Sequence, residues 1–257
     1  MAPRPATMKG VDGLASFFER GWVRLAGAFD PSGLAEALWR ELSAHGPQPG
    51  DPVTWRQAGS QSPAGKWLTR FGQSGVFTGV GSDAVGNALQ ELLGDGWTGQ
   101  AGGWGRPLVT FTADGDWEIP SGGWHLDSPP APDLPSVRMF AYLSEVRARG
   151  GGTLVIEGSH RLAAAYPGAH SRTVRDELSR QDPWLHEIWH PSGREDRIAA
   201  LMDHGAEVAD VPLRVTELTG SPGDVVLWHP ALFHTAAPNT ARHPRFMLTH
   251  TALRRVR

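Results

Sequence analysis

The feature that most constrains the fold and function of this chain is the short motif His125-Leu126-Asp127. A second histidine, His234, follows about a hundred residues later in the segment Leu-Phe-His-Thr-Ala-Ala-Pro-Asn. In a β-strand, residues i and i+2 point to the same face. His125 and Asp127 can therefore bind one metal ion together while Leu126 packs on the other side. A short strand cannot surround an ion, so a third ligand must come from elsewhere. Two imidazoles and one carboxylate are the ligand set of mononuclear non-haem iron(II) sites, and they leave coordination positions open.

The composition indicates a turn-rich, largely β protein. The 257 residues include 32 Gly and 21 Pro, and few segments show a long helical periodicity. A chain of this length is expected to form a single domain over residues 1–257. The formal charge is −3, so nothing suggests a nucleic-acid partner. Cysteine is absent, which removes disulfides, thiolate metal sites and thiol catalysis.

The beginning of the chain and its hydropathy favour a cytoplasmic protein. Residues 1–10 lack the apolar core of a signal peptide. No apolar run approaches the length of a membrane span, so we expect no membrane partner. The sequence carries no signal for a particular oligomeric state.

Helices are predicted in the N-terminal part, about residues 1–100. Asp30-Pro31 provides an N-cap and first-turn pair for a helix that ends before Gly46. A second helix is predicted from Ser82 to Gly94. A short strand is expected at Trp22–Leu25.

The region from about 105 to 253 is predicted to be the β core, because runs of β-branched and aromatic residues alternate there with turns. The predicted strands cover residues 107–112, 137–146, 153–156, 211–215, 224–228, 231–235 and 245–251. Residues 161–209 interrupt them with helical pieces. An insertion of this size either covers an active site or packs as a structural excursion, and the pattern leaves both possibilities open.

Two longer motifs resemble the phytanoyl-CoA dioxygenase-like family. Residues 151–161 read Gly-Gly-Thr-Leu-Val-Ile-Glu-Gly-Ser-His-Arg and are similar to the family signature that joins Gly-Gly-Thr-Leu to Gly-Ser-His-Arg. Residues 222–229, followed by His234, Pro238-Asn239 and Pro244-Arg245, are similar to the family's C-terminal block. The matches occur in order and cover about residues 105–253.

This resemblance implies a mainly β fold with flanking helices, namely a double-stranded β-helix or jelly roll, with N-terminal helices and a helical insertion at 161–209. It also implies an enzyme that uses iron(II), O2 and the co-substrate 2-oxoglutarate, which is decarboxylated to succinate. His125, Asp127 and His234 are the implied iron ligands.

The implied partner of the distal carboxylate of 2-oxoglutarate is Arg245, which lies 11 positions after His234. A guanidinium offers a planar fork that matches a carboxylate. Thr110 or Thr112, on the strand before the metal pair, is expected to reach the other end of 2-oxoglutarate. Many relatives carry a hydroxyl residue where this chain has Ala236, so the detailed carboxylate contacts differ here.

Some residues compete with these assignments. His229 could be mistaken for the distal ligand, but the motif favours His234. Arg242 competes with Arg245, but it lies in a predicted turn. His160, in the Gly-Ser-His-Arg turn, is expected to bond to backbone as a structural residue.

The implied reaction is oxidation of an unactivated C–H bond in a small molecule. Asp127 favours hydroxylation over chlorination, because related halogenases have a small residue there; desaturation, epoxidation and ring formation stay open. We prefer a substrate of secondary metabolism, with an acyl-CoA as the alternative. A zinc hydrolase and a non-catalytic jelly-roll binding protein are the alternatives from other classes. The side chains with a weak claim to touch substrate are Trp104, Trp117, Trp124, Trp184, Trp189, Arg138, Arg172 and Arg175.

Overall fold

Two antiparallel sheets face each other in this computed structural model, which describes residues 10–58, 66–99 and 103–255. The strands are β1 (Trp22–Leu25), β2 (Thr98–Gly99), β3 (Arg106–Thr110), β4 (Ser136–Tyr142), β5 (Thr153–Glu157), β6 (Ala206–Val208), β7 (Val211–Leu218), β8 (Val225–Trp228), β9 (His234–Ala236) and β10 (Arg245–Leu253). The larger sheet has the order β1-β8-β4-β10-β2, with β3 also paired to β10. The smaller sheet has the order β6-β7-β5-β9. The predicted mainly β jelly roll is confirmed.

Strand β10 shows how the alternation of side chains separates the layers. Phe246 and Leu248 belong to an apolar cluster with the N-terminal helices, on the outer face of the larger sheet. Met247 belongs to the inner cluster between the sheets. Arg245 and Thr249 share the inner face with Met247, because side chains two residues apart point the same way. A cavity lined by Arg245 and Thr249 therefore opens between the sheets.

Helices cover the outer face of each sheet. Their bounds are α1 (Gly10–Arg20), α2 (Leu34–Ser43), α3 (Pro52–Ala58), α4 (Lys66–Gly72), α5 (Asp83–Leu93), α6 (Ser159–Ala163), α7 (Ser171–Gln181), α8 (Pro183–Trp189), a 3₁₀ turn at Thr78–Val80 and a π-helical segment at Ala199–His204. Among the described residues, no helix is long and apolar enough to cross a membrane. The expectation about a signal peptide falls mainly on residues 1–9, which lie outside the described residues.

Of the two helices predicted in the N-terminal part, α5 begins where expected and α2 does not. The helix predicted from Ser82 to Gly94 forms as α5, and Ser82 caps it, since its Oγ accepts the Val85 N–H at 3.3 Å. The predicted start of α2 at Asp30-Pro31 was wrong, because the helix begins at Leu34. The Asp30 carboxylate instead accepts hydrogen bonds from the N–H (3.0 Å) and the hydroxyl (2.6 Å) of Ser32. This local turn uses the capping oxygen before the helix begins.

The insertion at 161–209 packs against the outside of the smaller sheet. Leu178 and Ile188, from α7 and α8, share an apolar cluster with Leu154 and Ile156 of β5. Trp189 is buried in the same cluster. The insertion thus forms the helical layer on the outer side of the smaller sheet, which agrees with its interpretation as a packed structural excursion.

His160, in α6, and His229, just after β8, form a largely buried pair with ring centroids 4.8 Å apart. His160 is structural as expected, since its Nε2 donates to the Phe18 carbonyl at 2.9 Å. Burial lowers the pKa of His160 from 6.5 to about 4. It also lowers the pKa of His229 to about 3, helped by the neighbouring His160. Both rings are therefore neutral in the folded protein at neutral pH.

The pair predicts a loss of stability in acid. As the pH falls below about 6.5, the unfolded chain takes up these protons first, so the free energy of unfolding decreases by about 1.4 kcal/mol per pH unit for each histidine. Above pH 6.5 the pair has no effect. Denaturant unfolding of the protein and of His160→Gln between pH 7.5 and 5 measures this. We expect a shallower decline in His160→Gln than in the exposed control His243→Gln, and equal slopes in both would contradict the assignment.

Candidate active site

Pairing between two distant segments brings the candidate metal ligands together. His125 forms an isolated antiparallel bridge with His234, through backbone N–H···O bonds of 3.0 and 3.1 Å. The Asp127 N–H then donates to the Pro230 carbonyl at 3.0 Å. The expectation that His125-Leu126-Asp127 lies in a regular strand was wrong, because only this bridge forms. The alternation of side chains still holds, since Leu126 is buried in the cluster under the insertion.

The three side chains converge as a metal site requires. One ligand atom each from His125, Asp127 and His234 lies within 4.8 Å of the other two. Asp127 Oδ1 is 3.7 Å from His125 Nε2 and 3.8 Å from His234 Nε2. Two donors about 2.1 Å from one ion lie about 3.0–3.4 Å apart. The two Asp127 distances are within about 1 Å of that spacing, so the three side chains must close around an ion in order to bind it.

Backbone carbonyls fix both imidazoles in the orientation that a metal ligand needs. His125 Nδ1 donates to the Gly123 carbonyl at 2.7 Å, and His234 Nδ1 donates to the Leu232 carbonyl at 3.0 Å. Each Nε2 is then the free acceptor that can bind a metal. The His125 side chain is 52% exposed and that of His234 is 9% exposed. One ligand thus lies at the mouth of the site and one in its wall.

Burial also keeps His234 neutral. Its pKa lies well below the ordinary value, chiefly because the ring is removed from water, although the Asp127 carboxylate opposes the shift. The Trp228 ring lies against it, with centroids 4.4 Å apart. A neutral imidazole in an apolar wall is ready to bind a metal at neutral pH without first losing a proton.

His229 does not belong to this group. It lies in the buried pair with His160, and its Nδ1 accepts the N–H of Ala231 at 3.1 Å. Among the described residues, the three-ligand group contains His234 and not His229.

Arg245 is a buried cation at the inner end of the same cavity. It is 5% exposed, and its Nη1 donates to the Gly151 carbonyl. Its Nε has no hydrogen-bond partner among the described residues, and none of their carboxylates forms an ion pair with it. Burial lowers its pKa to about 10, although Tyr142 and Glu217 oppose the shift. A buried charge without a counter-ion is costly, so an anion entering the cavity would relieve it.

Hydroxyl groups lie around Arg245. Thr110 stands directly opposite Arg245 in the β3–β10 pairing and lines the cavity. Thr112 lies beyond the end of β3 and does not line it. Thr153 stands opposite Ala236 in the β5–β9 pairing and also lines the cavity. Thr153 therefore brings a hydroxyl to the cavity wall next to Ala236.

The cavity that holds all these groups has a volume of about 600 Å³. His125, Asp127, His234 and Arg245 all line it. No described residue of the insertion 161–209 lines it. The tryptophans with a weak claim to touch substrate do not line it either; they are Trp104, Trp117, Trp124, Trp184 and Trp189. Of the three arginines named with them, Arg138 lines the cavity and Arg172 and Arg175 do not.

Comparison with known proteins defines the class of this site. The family model for Phytanoyl-CoA dioxygenase (PhyH) matches residues 118–247, which is more than half of the chain. The chain therefore belongs to the phytanoyl-CoA dioxygenase family. It is an iron- and 2-oxoglutarate-dependent oxidoreductase, and the clustered His-Asp-His set agrees with that cofactor chemistry.

Solved structures show the same fold at low sequence identity. The non-haem α-ketoglutarate-dependent carbocyclase SnoK from nogalamycin biosynthesis has a TM-score of 0.55 and 15% identity, covering 98% of this chain and 87% of that one. HygX from Streptomyces hygroscopicus, with nickel, 2-oxoglutarate and hygromycin B bound, gives 0.51 and 17%, covering 95% and 86%. The non-haem monooxygenase ThoJ gives 0.51 and 15%, covering 93% and 76%. No curated protein sequence matches the chain.

Proposed function

We propose that this oxygenase oxidises an unactivated C–H bond of a small natural-product-like molecule, with His125, Asp127 and His234 as the iron(II) ligands. Arg245 would bind the distal carboxylate of 2-oxoglutarate. Thr110 stands opposite Arg245 in the strand pairing, so we assign it to this same end of the co-substrate and not to the other end, as the sequence had suggested. One observation carries the assignment: the buried Arg245 guanidinium, which forms no ion pair with a described carboxylate, lines the same cavity as the three converging ligands. A dianionic co-substrate could relieve that charge and reach the metal group.

The bound iron would supply the oxidising power, with the overall balance that substrate, O2 and 2-oxoglutarate give hydroxylated substrate, succinate and CO2. The protein's own residues have simpler tasks. The Gly123 and Leu232 carbonyls orient the imidazoles, and Arg245 fixes one end of the co-substrate. Burial of His234 and Trp228 keeps water out of one wall. Asp127 occupies the carboxylate position, which favours hydroxylation over halide transfer.

The substrate class is proposed from the cavity and from the neighbouring structures. HygX was solved with hygromycin B bound, and SnoK is a carbocyclase of nogalamycin biosynthesis. A cavity of about 600 Å³ lies within the usual range for small-molecule sites, about 300–1,000 Å³. We therefore favour a natural product over an acyl-CoA, and succinate formation stimulated only by acyl-CoA thioesters would reverse this preference. A cytoplasmic location stays a prediction of the sequence.

The zinc-hydrolase and binding-protein alternatives lose support from Arg245. Neither function needs a buried cation beside the metal group, whereas a 2-oxoglutarate enzyme does. The family match points the same way.

An anaerobic titration tests the proposal directly. Iron(II) and then 2-oxoglutarate are added to the metal-free protein, and the visible spectrum is followed. We expect a weak metal-to-ligand charge-transfer band that needs both additions, because the co-substrate must chelate the metal. Binding of iron(II) without a band, or retention of zinc with no response to 2-oxoglutarate, would overturn the proposal.

A further inference from the structure

Arg138 is a cation of the active-site cavity to which the family resemblance assigns no role. It lies on β4, where it stands opposite Trp228 of β8 and Thr251 of β10. Its side chain is only 23% exposed. Its Nε is 2.5 Å from Oδ2 of Asp127, one of the proposed metal ligands. Arg138 is thus in direct contact with the metal group.

The Asp127 carboxylate divides its two oxygens between different partners. Oδ1 faces the imidazoles, at 3.7 Å from His125 Nε2 and 3.8 Å from His234 Nε2. Oδ2 faces Arg138. The ion pair therefore leaves one oxygen directed to the metal group and holds the other away from it.

The Arg138 side chain is itself held in place from several sides. Its Nη1 donates to the Thr251 hydroxyl, and its Nη2 lies 3.4 Å from the Thr249 hydroxyl. The guanidinium carbon lies 5.6 Å from the centroid of the Trp228 ring. The same ring contacts His234. Arg138 is consequently a fixed support and not a freely moving surface cation.

We propose that Arg138 is a positioning residue that keeps Asp127 a one-oxygen ligand. The proposal rests on the function proposed above. A carboxylate can bind a cation through one oxygen or through both. Binding through both would fill a coordination position that the co-substrate and O2 need, and the Arg138 ion pair prevents this. Mutation of a residue that orients a metal ligand in this way generally lowers metal affinity or activity by about 10–100-fold.

The opposite role for Arg138, binding of an anionic group on the substrate, predicts different behaviour. The Asp127 carboxylate already occupies the Nε side of the guanidinium, and two threonine hydroxyls face its other nitrogens. The guanidinium is therefore already in contact with protein groups, and its Nε meets Asp127 as an ion pair without a hydrogen bond among the described residues. A substrate-binding arginine would affect the KM for substrate and leave metal binding unchanged.

The test measures cobalt(II) binding to metal-free protein in the absence of any substrate. We expect Arg138→Met to weaken cobalt(II) affinity by about 10–100-fold, with partial recovery in Arg138→Lys. We also expect a changed cobalt(II) visible spectrum in Arg138→Met, because the released second oxygen of Asp127 can join the metal. Arg106→Met is the matched control, since Arg106 lines the same cavity on β3 and forms no ion pair with Asp127. Its affinity and spectrum should equal those of the native protein.

Thermal unfolding of each metal-free variant accompanies the titrations, so a folding defect is separated from lost orientation. Native cobalt(II) affinity and a native spectrum in folded Arg138→Met would overturn the positioning role, while the proposed function would stand. If the native protein binds neither cobalt(II) nor 2-oxoglutarate, the proposed function fails, and the role of Arg138 fails with it.

Discussion

Replacing His234 by alanine is expected to abolish metal-dependent turnover. His234 supplies one of three ligands, and its Nε2 stands free because Nδ1 is bound to the Leu232 carbonyl. Removing a ligand should lower metal affinity or activity by more than removing a residue that only orients a ligand, which costs about 10–100-fold. We expect no charge-transfer band with iron(II) and 2-oxoglutarate, and no succinate above background. The assay is anaerobic spectroscopy followed by aerobic succinate measurement.

His229→Ala is the matched control for this change. His229 lies five residues earlier in the chain and is not part of the three-ligand group. Its removal disturbs the packing with His160, so lower thermal stability is acceptable, but the band should remain at temperatures where the variant is folded. A band that survives in His234→Ala and vanishes in His229→Ala would reverse the assignment of the distal ligand.

The arrangement of His125 and Asp127 could be predicted because it depends only on the spacing of neighbouring residues. The i, i+2 spacing of His125 and Asp127 places both on one side of an extended segment, even though no regular strand forms there. Leu126 is buried on the opposite side, as the alternation requires. The convergence with His234 is different. It depends on which segments pair, and only the family resemblance indicated that pairing.

The contacts that the sequence could not predict join segments that are distant in the chain. Arg138 on β4 reaches Asp127, which lies outside the regular strands, and Thr153 faces Ala236 through the β5–β9 register. Register is set by the whole sheet, so no local pattern marks these pairs. The insertion shows the same limit. The amphipathic pattern of its helices predicted that each has a buried face. The pattern did not indicate whether these faces pack over the cavity or on the outer side of the smaller sheet.

Replacing Arg245 by methionine is expected to remove most of the affinity for 2-oxoglutarate while leaving metal binding intact. Arg245 is buried, its Nε has no hydrogen-bond partner among the described residues, and no described carboxylate forms an ion pair with it, so the co-substrate carboxylate would be its first direct ion-pair partner. Loss of one partner of a buried, hydrogen-bonded charge pair costs about 2–5 kcal/mol, which corresponds to at least about 30-fold in affinity. The measurement is the titration of 2-oxoglutarate into the metal-loaded protein, together with its KM in turnover.

Thermal and denaturant unfolding measure the effect of Arg245→Met on 2-oxoglutarate binding independently. In native protein, 2-oxoglutarate at 100 times its Kd should add about 2.7 kcal/mol to the free energy of unfolding, and a 30-fold weaker variant should gain only about 0.9 kcal/mol. Without 2-oxoglutarate, Arg245→Met should unfold at or above the native temperature, because methionine fills the site without a buried, unpaired charge. Arg242→Met, three residues earlier on an exposed turn, should keep the native response to the co-substrate. Equal stabilisation of Arg245→Met and Arg242→Met by 2-oxoglutarate would show that the buried guanidinium is not its carboxylate partner.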